Sequence, residues 1–462
     1  MKQNQKKAGR TRLTISTMAL TLLASTALFD STGYASEAST RITTQNPLIA
    51  AAAKTGTAML PSIPAAEQKA LLEEFRQHLE TYYSISFSGN VTGAEFEAAL
   101  LKIQGTAAGT AVIAGKSATP AATVDFKVTA AVSKVIEAAH LKELAQTYPQ
   151  KKITSVLTKA GLERYSKQLS NQSAQEYAVL IDLQMVPSAM YGSLNPTQPL
   201  HADLATCLLG KVLVLNGTYE NYLGTTADAD IYNKMIHAWQ TQPLIQSADL
   251  QKIVDQALKQ NVVTGYNLKD LRYAPRFHDL RTITYGHSSI THAIQLIGLM
   301  KSENLTAKVQ LEPKTSAFLY LKEWGIPEET PDFQLEPIGD GNYIAYSKEY
   351  DLHFEFATEE QKKRFDSVIS AYAKRNQEDM TGLIIDSWWQ PLYYSMNQLP
   401  EYKEITNNYM IQGNYLAQTF TLNEQSAPTV AALSQISPSV KVHTYTFWVD
   451  LPFYNYLIGD YK

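Results

Sequence analysis

The densest chemistry in the sequence lies in residues 272–292, RYAPRFHDLRTITYGHSSITH. This window holds Arg272, Arg276 and Arg281 together with His278, His287 and His292. Guanidinium forks suit carboxylate, phosphate or sulfate, and an imidazole carries protons near neutral pH. The run LRTITY reads as a strand. Gly286-His287-Ser288-Ser289 then reads as the turn into a helix, where free backbone N–H groups and the helix dipole favour an anion. Ser288 or Ser289 would cap that helix. The plainer reading has Ser-Ser as an ordinary cap and the arginines paired with Asp270, Asp279 or Glu312.

Three chemistries fit the window. In the first, Ser288 is a nucleophile: Gly286-His287-Ser288-Ser289-Ile290 resembles the G-x-S-x-G elbow of α/β-hydrolases, with Ile290 in place of the second glycine. That resemblance implies an acid and a base further along the chain, which Asp386 and His443 would supply in the family's order. The second is a metal held by His278, Asp279, His287 and His292. His287 and His292 are five apart and diverge on a helix, and no ligand-spaced motif supports them, so no metal is expected. The third is acid–base work by His287 or His278, with His292 as second choice, beside an anionic substrate held by Arg272, Arg276 and Arg281. Trp388 and Trp389 offer an aromatic platform for the same substrate. There is no Gly-rich phosphate loop or dinucleotide fingerprint, so no organic cofactor is expected.

The elements that must position these residues follow from periodicity. Lys2, Lys6, Lys7, Arg10 and Arg12 precede an apolar run from Leu13 to Phe29 and a small-residue exit. This pattern predicts a secretory signal over 1–35 and a secreted or periplasmic protein with no membrane span after cleavage. The single cysteine, Cys207, forbids an internal disulfide. The formal net charge is −4. Loss of the basic leader leaves the remainder more acidic still, which disfavours nucleic acid as a partner.

Residues 36–61 read as a disordered leader and 62–175 as a helical N-terminal region. Leu71, Leu72, Phe75, Leu79, Tyr82 and Tyr83 make one helix face, and Thr92 and Glu95 form a capping box. The runs 176–186 and 210–217 read as buried strands opening an α/β body over 176–462. Strand, helix and strand across 280–313 predict a βαβ unit and a partly parallel sheet, followed by the strands DGNYIAYS, DLHFEFA and GLIID. The expected fold is therefore mixed α/β. The expected function is an exported enzyme acting on a small or polymeric anionic substrate by hydrolysis or acid–base chemistry. The alternative is a non-catalytic secreted ligand-binding or cell-surface interaction protein.

Overall fold

The computed structural model describes residues 65–105, 126–325, 328–372 and 392–460. The signal and leader segments, GLIID, Asp386, Trp388 and Trp389 lie outside the described residues.

Helices come first: α1 (Ala65–Tyr83), α2 (Gly93–Gly105), α3 (Val128–Ala138), α4 (Lys142–Gln146), α5 (Gln150–Lys159), α6 (Asn171–Asp182) and α7 (Ala202–Leu215). Phe75, Leu79 and Tyr83 of α1 are buried. Thr92 and Glu95 close the capping box that opens α2, with Thr92 N donating to Glu95 at 2.8 Å and Glu95 N to Thr92 at 3.3 Å. The two runs expected to be strands are helical instead: 176–186 spans the second half of α6 and the turn after it, and 210–217 spans the last six residues of α7 and the turn after it. Ser170 caps α6 by accepting from Ser173 N at 3.1 Å. Ten residues of α7 are buried, because other helices surround it. A helix covered on all sides has the same unbroken apolar sequence as a strand covered on both faces, and periodicity cannot separate the two.

The remainder is a barrel wrapped in helices. Its strands are β1 (Gly224–Thr225), β2 (Gly265–Asp270), β3 (Thr282–His287), β4 (Ala307–Tyr320), β5 (Phe333–Gly339), β6 (Asn342–Phe356), β7 (Leu392–Ser395), β8 (Lys403–Gln412), β9 (Tyr415–Thr421) and β10 (His443–Val449). The order β4-β2-β9-β8-β10-β7-β3-β6 closes on itself through β4–β6, leaving β1 and β5 as additional strands. Every pairing is antiparallel. The partly parallel α/β sheet is thus corrected to a closed antiparallel barrel. Strand, helix and strand do follow one another as β3, α10 (Ile290–Ser302) and β4. Yet β6 lies between the two strands, pairing Gly286 with Asp351 on one edge and Glu312 with Asp351 on the other. DGNYIAYS and DLHFEFA, read as separate strands, are the turn and length of this one 15-residue strand.

Strand alternation divides the barrel wall into two faces. Outward go Ile283, Val309, Leu311, Leu352, Phe354 and Phe356, covered by α8 (Ile231–Thr241), α10 and α11 (Glu359–Tyr372). On the opposite side, α9 (Ala248–Lys259) and α12 (Asn423–Ile436) cover Leu268, Met410 and Ala417. Inward go Lys308, Gln310, Glu312 and Lys314 of β4, which register against Glu355, His353, Asp351 and Glu349 of β6. This pairing sets Glu312 against Asp351, and Lys269 of β2 resolves the clash. Its ammonium lies 2.7 Å from Glu312 and also contacts Asp351. Lys314 reaches Asp351 at 2.8 Å, and His353 joins Glu312 at 3.0 Å and Thr284 at 2.9 Å. Burial would raise the Glu312 and Asp351 carboxyls, but the lysine charges outweigh it and hold both below the usual range.

Candidate functional site

The turn at Gly286–Ser289 forms as its sequence indicates: β3 ends at His287, and Ser289 caps α10 by accepting from His292 N at 3.3 Å. The basic side chains do not gather around it. His287 is fully buried, its ring stacked on His292 at 4.2 Å and 7° under Tyr285 and Tyr350, with Nδ1 accepting from Ser289 N at 2.8 Å. The close approach at Gly286 is unrelated to an elbow. A Cβ there would lie 2.6 Å from the Lys314 ammonium inside the barrel. His443 opens β10, stacked on Tyr409, and lies five residues, about 17 Å, before the part of that strand that meets β7. Ser288 and His443 therefore do not meet.

Arg272 is bound to Asp270 beside it in the chain and faces solvent. Arg276, His278 and Arg281 do converge, at the seam between the helical region and the barrel. There, with Glu74, His78 and Tyr82 of α1, Tyr219, Glu220 and Asp279, they line a hollow of about 30 Å³. Arg281 spans the seam from Glu74 (2.7 Å) to Glu355 (3.0 Å), and Lys308 bridges Glu220 (2.6 Å) and Glu355 (2.7 Å).

Burial, followed by the Glu355 carboxylate, pushes Glu220 up to about 7. A carboxyl whose folded value exceeds its unfolded one stabilises most below the unfolded value, near 4.5, and that contribution is lost as pH rises to 7. Unfolding free energy of the protein is expected to exceed that of Glu220→Gln by about 2–3 kcal/mol more at pH 5 than at pH 8. Denaturant unfolding at the two pH values measures it, and a pH-independent difference would refute the shift.

Two further groups were not signalled by the sequence. Lys362 of α11 and Ser395 of β7 approach to 2.6 Å, both buried. Burial lowers Lys362 to about 8. The pair has the composition of a Ser–Lys nucleophile, but the ammonium also donates to Leu280 O and Asn397. All three N–H groups are committed, and Ser395 is 2% exposed, so the lysine ties α11 to the barrel.

The second group lines a trough of about 640 Å³ between α9 and the β5–β6 edge. Gln246, Gln251, Gln256 and Gln334 line it, with Lys252, Lys259, Asp255, Glu336 and Tyr346. The Tyr346 hydroxyl lies 3.0 Å from Asp255 and 2.9 Å from Glu336, and Tyr266 donates to the other Asp255 oxygen. One phenolic proton cannot serve two carboxylates, so the arrangement favours a proton on one of the acids. Burial raises Asp255, whereas the hydrogen bond from Lys259, 2.9 Å away, holds Glu336 below its usual range. The two acids are thus pushed in opposite directions, Asp255 up and Glu336 down. Asp255 and Glu336 are 81 positions apart, so only the packing of α9 on the sheet edge unites them.

Comparison with protein families, curated proteins and solved structures finds no match to this chain.

Proposed function

We propose that the chain is an exported hydrolase that cleaves a polar, negatively charged polymer, a glycan in the first instance, in the trough between α9 and β5. The observation that carries this reading is the single Tyr346 hydroxyl shared by Asp255 and Glu336. Environments that push two acids' proton affinities apart assign a general acid and a base. Asp255, holding its proton, donates to the leaving oxygen as the glycosidic bond breaks. Glu336 attacks the anomeric carbon as its bond to that oxygen breaks, forming a glycosyl ester. Both reach one oxygen atom, so their carboxyl oxygens are at most about 6 Å apart, near the roughly 5–5.5 Å at which the second carboxylate attacks directly. Water then releases the glycosyl group from Glu336, giving its proton back to Asp255. The four glutamines match sugar hydroxyls, and Lys252 matches an anionic substituent. This reading moves the chemistry away from 272–292, where His287 has no access and Arg281 is held between two carboxylates.

Turnover on a panel of soluble anionic polysaccharides and aryl glycosides tests it, with binding measured in parallel. Asp255→Asn and Glu336→Gln are each expected to lower kcat by about 10²–10⁴-fold while binding persists. Binding without turnover by the unaltered protein would favour a non-catalytic glycan-binding role. Full activity in both variants would remove the carboxyl pair from the mechanism.

A further inference from the structure

The seam hollow contains charges that the fold leaves unspent. Below about pH 7 Glu220 holds a proton, so Arg281 and Lys308 are balanced by Glu74 and Glu355. Arg276 donates only to neutral acceptors, the Tyr83 hydroxyl at 3.1 Å and Thr218 O at 2.9 Å. Asp279 makes no ion pair among the described residues, and burial raises its carboxyl. One cation and one carboxylate thus border the same small space.

Two independent features mark this space as built for a ligand. His78 is 6% exposed, and its Nε2 has no hydrogen-bond partner among the described residues; Nδ1 of His278, on the opposite wall, is also unpartnered. Buried polar atoms left without a partner destabilise the fold, a cost that a bound molecule removes. Arg276 also has φ +56°, a left-handed conformation that strains a non-glycine residue. Glycine or asparagine would sit there with less strain, but neither would carry the guanidinium.

We propose that this hollow binds a small zwitterion, an α-amino acid, with its carboxylate on Arg276 and its ammonium on Asp279. Charge balance selects this class. A simple anion would confront Asp279 and a simple cation would confront Arg276, whereas a molecule with both charges neutralises both. The imidazole nitrogens of His78 and His278 complete its hydrogen bonding. The enclosed part of the hollow is only about 30 Å³, so the smallest amino acids are the ones expected to bind, lying partly in its open mouth with any larger side chain outward.

Calorimetric titration of the full chain at pH 6, where Glu220 is protonated, with glycine, L-alanine, acetate and methylammonium tests the assignment. The two amino acids are expected to bind with 1:1 stoichiometry. Acetate and methylammonium, each carrying half of the charge pattern, are expected to bind about ten- to a hundredfold more weakly. Arg276→Gly removes the guanidinium while accepting the left-handed backbone, and Asp279→Asn keeps the shape. Each is expected to weaken amino-acid binding by a similar factor with the thermal midpoint retained. Acetate binding equal to that of alanine and indifferent to Asp279→Asn would identify an anion site instead. Absence of saturation by glycine and alanine would overturn the proposal.

Discussion

Replacing Lys269 with methionine is expected to lower the unfolding free energy by about 3–5 kcal/mol. Lys269 is the cation between Glu312 and Asp351, which the β4–β6 register sets directly opposite each other inside the barrel. Removing it leaves two buried carboxylates with Lys314 and His353 as their remaining partners. One must then take up a proton or draw in a cation. The donor atoms of Glu312, Asp351 and His353 lie within 4.8 Å of one another, a spacing that could hold a metal; in the intact protein the tethered ammonium contacts both carboxylates there.

The acid limb of stability reports the same cluster. Depressed carboxyl values contribute stability that is complete above the unfolded values, near 4, and lost as pH falls through the folded ones. The wild type should therefore lose this contribution only below about pH 4, and Lys269→Met should begin to unfold at higher pH. Chemical denaturation from pH 3 to 8 measures both effects. A loss below about 1 kcal/mol at neutral pH would show that the cluster is as weak as a surface ion pair. Adding Glu312→Gln to Lys269→Met should recover part of the loss, because the cost arises from an unpaired charge.

The second large effect lies in the helical region. Gly210→Ala is expected to destabilise the protein by about 1–3 kcal/mol, even though alanine is favoured over glycine in a helix by about 1 kcal/mol. Gly210 sits inside α7, where α1 crosses it, and a Cβ would fall 2.3–2.6 Å from three ring atoms of Phe75. Phe75 is 1% exposed, and its ring packs edge-on against Tyr219 at 5.4 Å, so it has little room to retreat. Overpacking outweighs propensity. Phe75→Leu in the same chain should relieve the clash, so the double variant should be more stable than the sum of the single losses predicts. An increase in thermal midpoint for Gly210→Ala alone would mean that α1 and α7 do not approach so closely.

The two regions illustrate which features are legible in a sequence. The turn from β3 into α10 was readable because its determinants are neighbours: alternating LRTITY, then Ser289 at the cap. The Thr92–Glu95 box was readable for the same reason. The inward ladder also left a trace, since Lys308, Gln310, Glu312 and Lys314 alternate with apolar residues just as Glu349, Asp351, His353 and Glu355 do. Alternation normally denotes one wet face, and nothing local reveals that both faces are buried. Residues 176–186 and 210–217 failed through the converse ambiguity, a helix apolar on every side.

Local order along this chain was thus set by its own residues: where helices start, where strands alternate, and the clustering of arginine and histidine in 272–292. Tertiary structure alone decided that the sheet closes antiparallel, that β6 slips between β3 and β4, and that His287 parts company with Arg276. It also brought Asp255 to Glu336, and His78 of α1 to Arg276 and Asp279, around shared hollows. The reason is one of range. Hydrophobic period and capping act over a few residues, whereas strand partnership and charge neutralisation depend on which distant segments arrive side by side once the barrel has shut.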